Sequence, residues 1–251
     1  MSEPDLAYME YLTNMSHRLS RRDMLIGSAA MGGVGFLPRM ASAGGFDVEP
    51  MSVPVPDKLP ADVFRTESAG ISKATHDEHL KLWQGYAKKV NEILGKLEDG
   101  SANESPNQIY SQMRALKANF PFAWGGYINH EIYFNGLGAP GPASPGPVTQ
   151  KLIEGSYGSM KAWEDDLKAT AMAARGWVFV GVNPRVNRIF NFLGDAQDTF
   201  PAWGHDLVLA CDVYEHAYFL DFKTERAKYV DAWFKCIAWK PLEARLVAAL
   251  A

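Results

Sequence analysis

The chain has 251 residues, 47% hydrophobic and 22% charged, with 25 lysines and arginines against 29 aspartates and glutamates for a net charge of −4. These figures exclude a disordered tail, a collagen-like fibre and a multi-span membrane protein, and the acidic balance argues against a nucleic-acid surface. Two cysteines, Cys211 and Cys236, are too few for a disulfide framework or a cysteine-rich zinc site, and only six histidines are present.

The N-terminal residues 1–43 read as an address. Ser20-Arg21-Arg22-Asp23-Met24-Leu25-Ile26 precedes a Gly/Ala-rich apolar run from Gly27 to Leu37, and Ala41-Ser42-Ala43 offers a cleavage site. The pattern resembles a twin-arginine export signal, which predicts a periplasmic or otherwise exported protein. The run is too short and too interrupted by glycine for a permanent membrane span, so no stable membrane insertion is expected. Twin-arginine export carries folded proteins, which suits a chain that takes up its cofactor before crossing.

Prolines 50, 54, 56 and 60 predict an extended arm over residues 44–61. From Ser72 to about Leu97, Leu80, Trp83, Tyr86, Val90, Ile93 and Leu97 recur at helical spacing. A second helical stretch, Asn107 to Phe134, is expected to break near Phe120-Pro121 and Gly125-Gly126. The Gly/Pro-rich residues 136–147 read as a linker between an N-terminal helical domain (62–135) and a C-terminal domain (148–251). In the latter, Val148–Tyr157 and Ser159–Ala174 are helical, with Ser159 as N-cap. Gly176–Gly181, Arg188–Leu193 and Leu207–Cys211 are strand-like, and Tyr229–Leu250 is helical with a break at Lys240-Pro241. The fold class is α+β: an N-terminal helical hairpin, then a small antiparallel sheet flanked by helices.

His79 lies on the apolar stripe with Trp83, Tyr86 and Val90, and His130 sits among Tyr127, Tyr133 and Phe134. Asp212 ends an apolar strand and His216 follows four residues later, so a carboxylate and an imidazole share one buried end. Such a carboxylate needs a cation or a strong donor. Two readings stay open on the residues alone. His79, His130, Asp212 and His216 form a metal site with room for a solvent ligand, or Asp212 is satisfied by Arg226 or a backbone amide beside unrelated core histidines. Zinc would accept these ligands without changing oxidation state, whereas iron or manganese could change it. His76 and His205 are expected at the surface.

Asp212-Val213-Tyr214-Glu215-His216-Ala217-Tyr218 resembles the D-V-W-E-H-A-Y signature of the iron/manganese superoxide dismutases, with Tyr for Trp. Asn129-His130 with Tyr133-Phe134-Asn135 resembles that family's N-H-x-x-x-W block, with Phe134 for the Trp. Ile71–Asn91 is similar to its first metal-binding helix, and Arg175–Phe179 to its G-S-G-W-x-W strand. The resemblance implies dismutation of superoxide to oxygen and hydrogen peroxide. It also implies one manganese or iron ion per subunit on His79, His130, Asp212 and His216, with solvent as fifth ligand. Gln197 matches the glutamine that bonds this solvent in manganese-type members, while Gly126 stands where iron-type members place theirs, so manganese is slightly favoured. Gln197 and Tyr86 are implied in proton delivery, and Trp177, Phe179 and Tyr133 as walls. Glu215 and Arg226 are implied at a homodimer interface. Lys81, Lys88 and Arg226 are candidates for drawing in the anionic substrate.

Three departures accompany the resemblance. Trp83 and Gln84 replace a pair of histidines, the tyrosine expected eight residues after His79 comes at seven as Tyr86, and Phe219 replaces a tyrosine that would bond the first of those histidines. Loss of both partners together leaves no stranded polar group and reads as a rewired gate. Tyr86 is expected to project beside His79. The alternative function is an exported, superoxide-dismutase-like metal-binding protein with weak or no dismutase activity.

Overall fold

The computed structural model describes residues 51–199 and 203–251; the predicted export signal lies outside them. Residues 51–60 run without regular structure along the first long helix. The Val53 N–H donates to Asn91 Oδ1 (2.8 Å), Asn91 Nδ2 returns a bond to the Val53 carbonyl (2.9 Å), and Gln84 Nε2 donates to the Pro56 carbonyl (2.8 Å). With Val53 and Leu59 buried, the arm is a strap fastened to a helix.

A 3₁₀ segment, Ala61–Ala69, ends at Gly70, whose φ of 95° only glycine adopts without strain. Helix α1 (Lys73–Glu98) is capped by Ser72, and α2 (Gln112–Asn135) by Ser111, each hydroxyl accepting a bond from the third backbone N–H beyond it. The two pair as the expected hairpin. Contrary to expectation, α2 is continuous. Pro121 lies inside it, but Pro121 and Lys117 are both exposed, so water can serve the carbonyl that proline leaves without a donor.

Residues 136–147 are no free hinge. Gly138 and Gly141 donate to the carbonyls of Cys236 and Lys235, and Ala238 donates back to Gly136 (2.8–2.9 Å). Helices α3 (Pro147–Tyr157) and α4 (Met160–Ala173) follow, then strands β1 (Trp177–Asn183), β2 (Arg188–Gly194) and β3 (Asp206–Asp212). The sheet is antiparallel in the order β2-β1-β3, with Trp177 level with both Gly194 and Asp212. Beyond β3 come a 3₁₀ turn (Glu215–Ala217), a short α5 (Phe219–Phe222), α6 (Arg226–Lys235) and α7 (Trp239–Leu250). The final break falls at residues 236–238, not at Lys240-Pro241. Pro241 sits in the first turn of α7, where no intrahelical N–H bond is required.

One buried apolar cluster runs through both parts, from Val63 and Ile71 through α1 and α2 to the sheet, α6 and α7. It includes Trp163, Trp177, Tyr133 and Trp233, each at most 1% exposed. Helix α2 packs on β3, which brings the middle of both hairpin helices to the end of β3.

Candidate metal centre

Four ligand atoms from four elements converge at that end. His79 comes from α1, His130 from α2, Asp212 is the last residue of β3, and His216 lies in the 3₁₀ turn after it. His79, His130 and Asp212 are fully buried, whereas the His216 side chain keeps 34% exposure. The Nε2 atoms of His79 and His216 each lie 3.1 Å from Asp212 Oδ2, and that of His130 lies 3.7 Å from it. One ligand atom from each of the four residues falls within 4.8 Å of the others.

The His130 tautomer is arranged for coordination. The Gly126 carbonyl can only accept, so His130 Nδ1 carries the proton it shares over 2.6 Å, and Nε2 is left bare. That Nε2 is buried with no hydrogen-bond partner among the described residues. Asp212 Oδ1 accepts the Tyr214 N–H (2.9 Å), which aims Oδ2 at the three imidazoles. Arg226 donates instead to the Ala174 carbonyl (2.7 Å) and the Tyr218 hydroxyl (3.3 Å). Of the two readings open on the sequence, satisfaction by Arg226 is thereby excluded, and the Tyr214 amide serves only one carboxylate oxygen. A buried lone pair beside a carboxylate and two further imidazoles fits a divalent or trivalent cation.

Burial holds His79 below its ordinary pKa and, with His79 beside it, brings His130 down to about 3. Burial pushes the other two the opposite way from where they settle. Asp212 stays well below the carboxylate range because His216 and His79 outweigh its desolvation, and His216 is raised because Asp212 outweighs its own. The buried pair His79 and His130 is therefore kept neutral beside one buried anion, as ligation requires, while His216 would give up a proton on binding an ion.

The walls are aromatic. His79 packs against Phe134 and Tyr133, with ring centroids 4.9 and 5.1 Å away, and His130 meets Trp177 edge-on at 5.2 Å. Trp177 stacks on Phe179. Trp177 Nε1 donates to Gln197 Oε1 (3.1 Å), which leaves the Gln197 amide N–H₂ free to donate elsewhere. Tyr214 rests on Gly176, where a Cβ would stand 2.6 Å from its ring, and its hydroxyl donates to the Asp195 carbonyl.

Tyr86 lies with its ring over His130, the centroids 5.3 Å apart. Burial pushes its phenol up to about 12, Asp212 and Tyr214 add to the shift, and the nearby Gln197 side chain opposes it. Trp83 stacks on Phe134 at 5.4 Å with its indole N–H buried and without a partner among the described residues, so, contrary to expectation, the replacement does leave a stranded polar group; Phe219 is 45% exposed. Glu215 is exposed, and with His216, Arg175, Arg226, Tyr214 and Ala174 it lines an open cleft of about 490 Å³.

Residues 145–245 match the family of iron/manganese superoxide dismutases, C-terminal domain. An iron superoxide dismutase of Aquifex pyrophilus is 37% identical over 184 residues, covering 72% of this chain and 86% of the relative. The chain belongs to the iron/manganese superoxide dismutase family. A manganese superoxide dismutase of Mycobacterium intracellulare is 31% identical, again over 72% of this chain and 86% of that protein. An iron superoxide dismutase of Pyrobaculum aerophilum is 30% identical over 73% and 85%. Relatives of this superoxide dismutase family thus include both iron and manganese enzymes.

His76, expected at the surface, is fully buried instead. Thr66 donates to the Val63 (2.8 Å) or Ile71 (3.1 Å) carbonyl, so its Oγ1 accepts from His76 Nε2–H at 2.7 Å. Phe64 and Phe134 close around the ring. The signal was available: His76 precedes His79 by three residues, which puts both on one helix face. His205 is half-buried against Phe192.

Proposed function

We propose that this protein dismutates superoxide to oxygen and hydrogen peroxide at one manganese or iron ion held by His79, His130, Asp212 and His216. The observation that carries the reading is the convergence of three Nε2 atoms and Asp212 Oδ2 at a buried, aromatic-walled strand end. Such an ion supplies a one-electron couple that can take an electron from one superoxide and return it to another. The chain supplies the rest. His130, fixed by Gly126, offers a bare Nε2, and Trp177, Phe179 and Tyr133 exclude bulk water. Gln197, oriented by Trp177, presents its amide as a donor, and Tyr86 holds a phenolic proton at the same mouth. Arg175 and Arg226, in the cleft beside His216, give local positive charge to an acidic protein. Lys81 is engaged with Glu78 on the outer face of α1.

Manganese is favoured because Gln197 is present and Gly126 has no side chain. A homodimer is favoured because Glu215 and Phe219 are exposed beside His216 and Arg226. Export by the twin-arginine route rests on Arg21-Arg22; no described helix is long and apolar enough to cross a membrane. Metal content and turnover of protein from its native compartment test the reading. Protein loaded with either metal that shows no rate above that of the free ion would overturn it. Wild-type protein that sediments as a monomer would count against the dimer, and a Glu215→Ala chain that stays dimeric would remove Glu215 from the interface. Arg21→Lys with Arg22→Lys should hold the protein in the cytoplasm.

A second reading, a metal-binding protein with weak or no dismutase activity, is favoured by Trp83 and Phe219, which replace the hydrogen-bonded gate with an indole whose N–H has no partner among the described residues and a phenyl ring. Turnover across pH for Tyr86→Phe and Gln197→Ala separates the two. A metal-binding protein would show no dependence on either residue.

A further inference from the structure

Two glycines one helical turn before His130 carry more than flexibility. Gly125 and Gly126 lie inside α2, where glycine weakens a helix, so the missing side chains need a reason. A Cβ on Gly125 would stand 2.1 Å from the Gln197 carbonyl oxygen, the same oxygen that accepts from Asn129 Nδ2 at 2.9 Å. A Cβ on Gly126 would stand 2.5–2.7 Å from three ring carbons of Tyr86. Those carbons include Cγ, close to the tyrosine's own backbone, so no small rotation of a side-chain tip relieves the overlap. One glycine seats the backbone of Gln197 and the other seats the ring of Tyr86, which lies over His130.

We infer that Gly126 is the positioning residue that lets a tyrosine seven residues after His79 still cover His130, and that Tyr86 in this seat bars any larger side chain at position 126. The inference deepens the dismutase reading and takes its functional sense from it. The polar amide at this mouth can then come from Gln197 and not from position 126. Gly126 also fixes His130 through its carbonyl, so ring seat and ligand tautomer are set by one residue.

The test is a double-mutant cycle on the metal-loaded protein, read as thermal midpoints of Gly126→Ala, Tyr86→Phe, Tyr86→Ala and the two doubles. Gly126→Ala should lower Tm by about 2–12 °C, the usual range for an overpacked methyl in a domain of this size. The same drop is expected with Tyr86→Phe, which keeps every ring carbon. With Tyr86→Ala it should vanish or reverse, because alanine is the better helix former once the ring is gone. If Gly126→Ala alone does not fold, recovery on adding Tyr86→Ala carries the same meaning. The association rate of azide with the manganese-loaded protein gives a second readout. Gly126→Ala and Tyr86→Ala should each speed azide entry, and their effects should not add, since both displace one ring. A Tm loss that persists in the Tyr86→Ala background, or additive effects on azide entry, overturns the inference. Neither readout uses turnover, so a protein without dismutase activity would still answer it.

Discussion

His76 shows how a residue outside the metal set can govern behaviour in acid. Burial, with His79 beside it, lowers its pKa from 6.5 to about 4. The folded state therefore binds its proton less readily than the unfolded chain does. A basic group with a depressed folded pKa contributes stability that is complete above about 6.5 and is lost as pH falls toward the folded value. At pH 5 the loss from this one residue is about 2 kcal/mol. His76→Gln should flatten the dependence of the denaturation midpoint on pH between 6.5 and 4. An unchanged slope would show that His76 is not the group responsible. The clustering of His79, His130 and His216 with Asp212 was legible from apolar context and family resemblance. The environment of His76 was not, because Thr66 reaches it from a 3₁₀ segment that no periodicity announces.

Among the elements, α1 and α3 are both capped from a distance. Asp221 Oδ2 accepts the Ser72 N–H (2.8 Å) and the Thr75 hydroxyl (2.6 Å) at the start of α1. Glu243 in α7 accepts the Val148 and Thr149 N–H groups (2.9 and 2.8 Å) and the Thr149 hydroxyl (2.5 Å) at the start of α3. A carboxylate suits a helix N-terminus, where unpaired N–H groups carry partial positive charge. Either carboxylate replaced by alanine should cost about 1–2 kcal/mol in chemical denaturation. The two variants should differ in metal retention. Asp221 ties the helix that carries His79 to the segment just after His216, so Asp221→Ala should release metal to a chelator faster. Glu243→Ala should retain it as the wild type does. Equal retention in both would show that the Asp221 bond does not position the ligands. The local caps Ser72, Ser111 and Ser159 follow a short pattern, and of these Ser159 was read from the sequence. The distant caps bridge 149 and 95 positions, and no local pattern carries that information.

At the scale of the whole molecule, the α+β class and the order of elements were readable because hydrophobic period and turn residues are local. The continuity of the two halves was not. Residues 136–147 have the composition of a hinge, yet Gly136, Gly138 and Gly141 are stitched to 235–238, and the apolar core passes beneath them. The halves should therefore unfold together. Calorimetry of the metal-loaded protein should show one transition with equal calorimetric and van't Hoff enthalpies. Two separated transitions would show that the linker decouples the halves. Metal removal should lower the midpoint while keeping a single transition, since ligand binding to the folded state alone adds stability to the whole unit.

The spread of the ligands along the chain has a consequence for how the protein is made. His79 and Asp212 meet across 133 positions, and His216 arrives later still. A growing polypeptide that has emitted both helices of the hairpin owns two of the four ligands and cannot close a cage. All four side chains can close on an ion only once His216 has followed the hairpin and the sheet out of the ribosome, so a full grip comes after both layers of the fold exist.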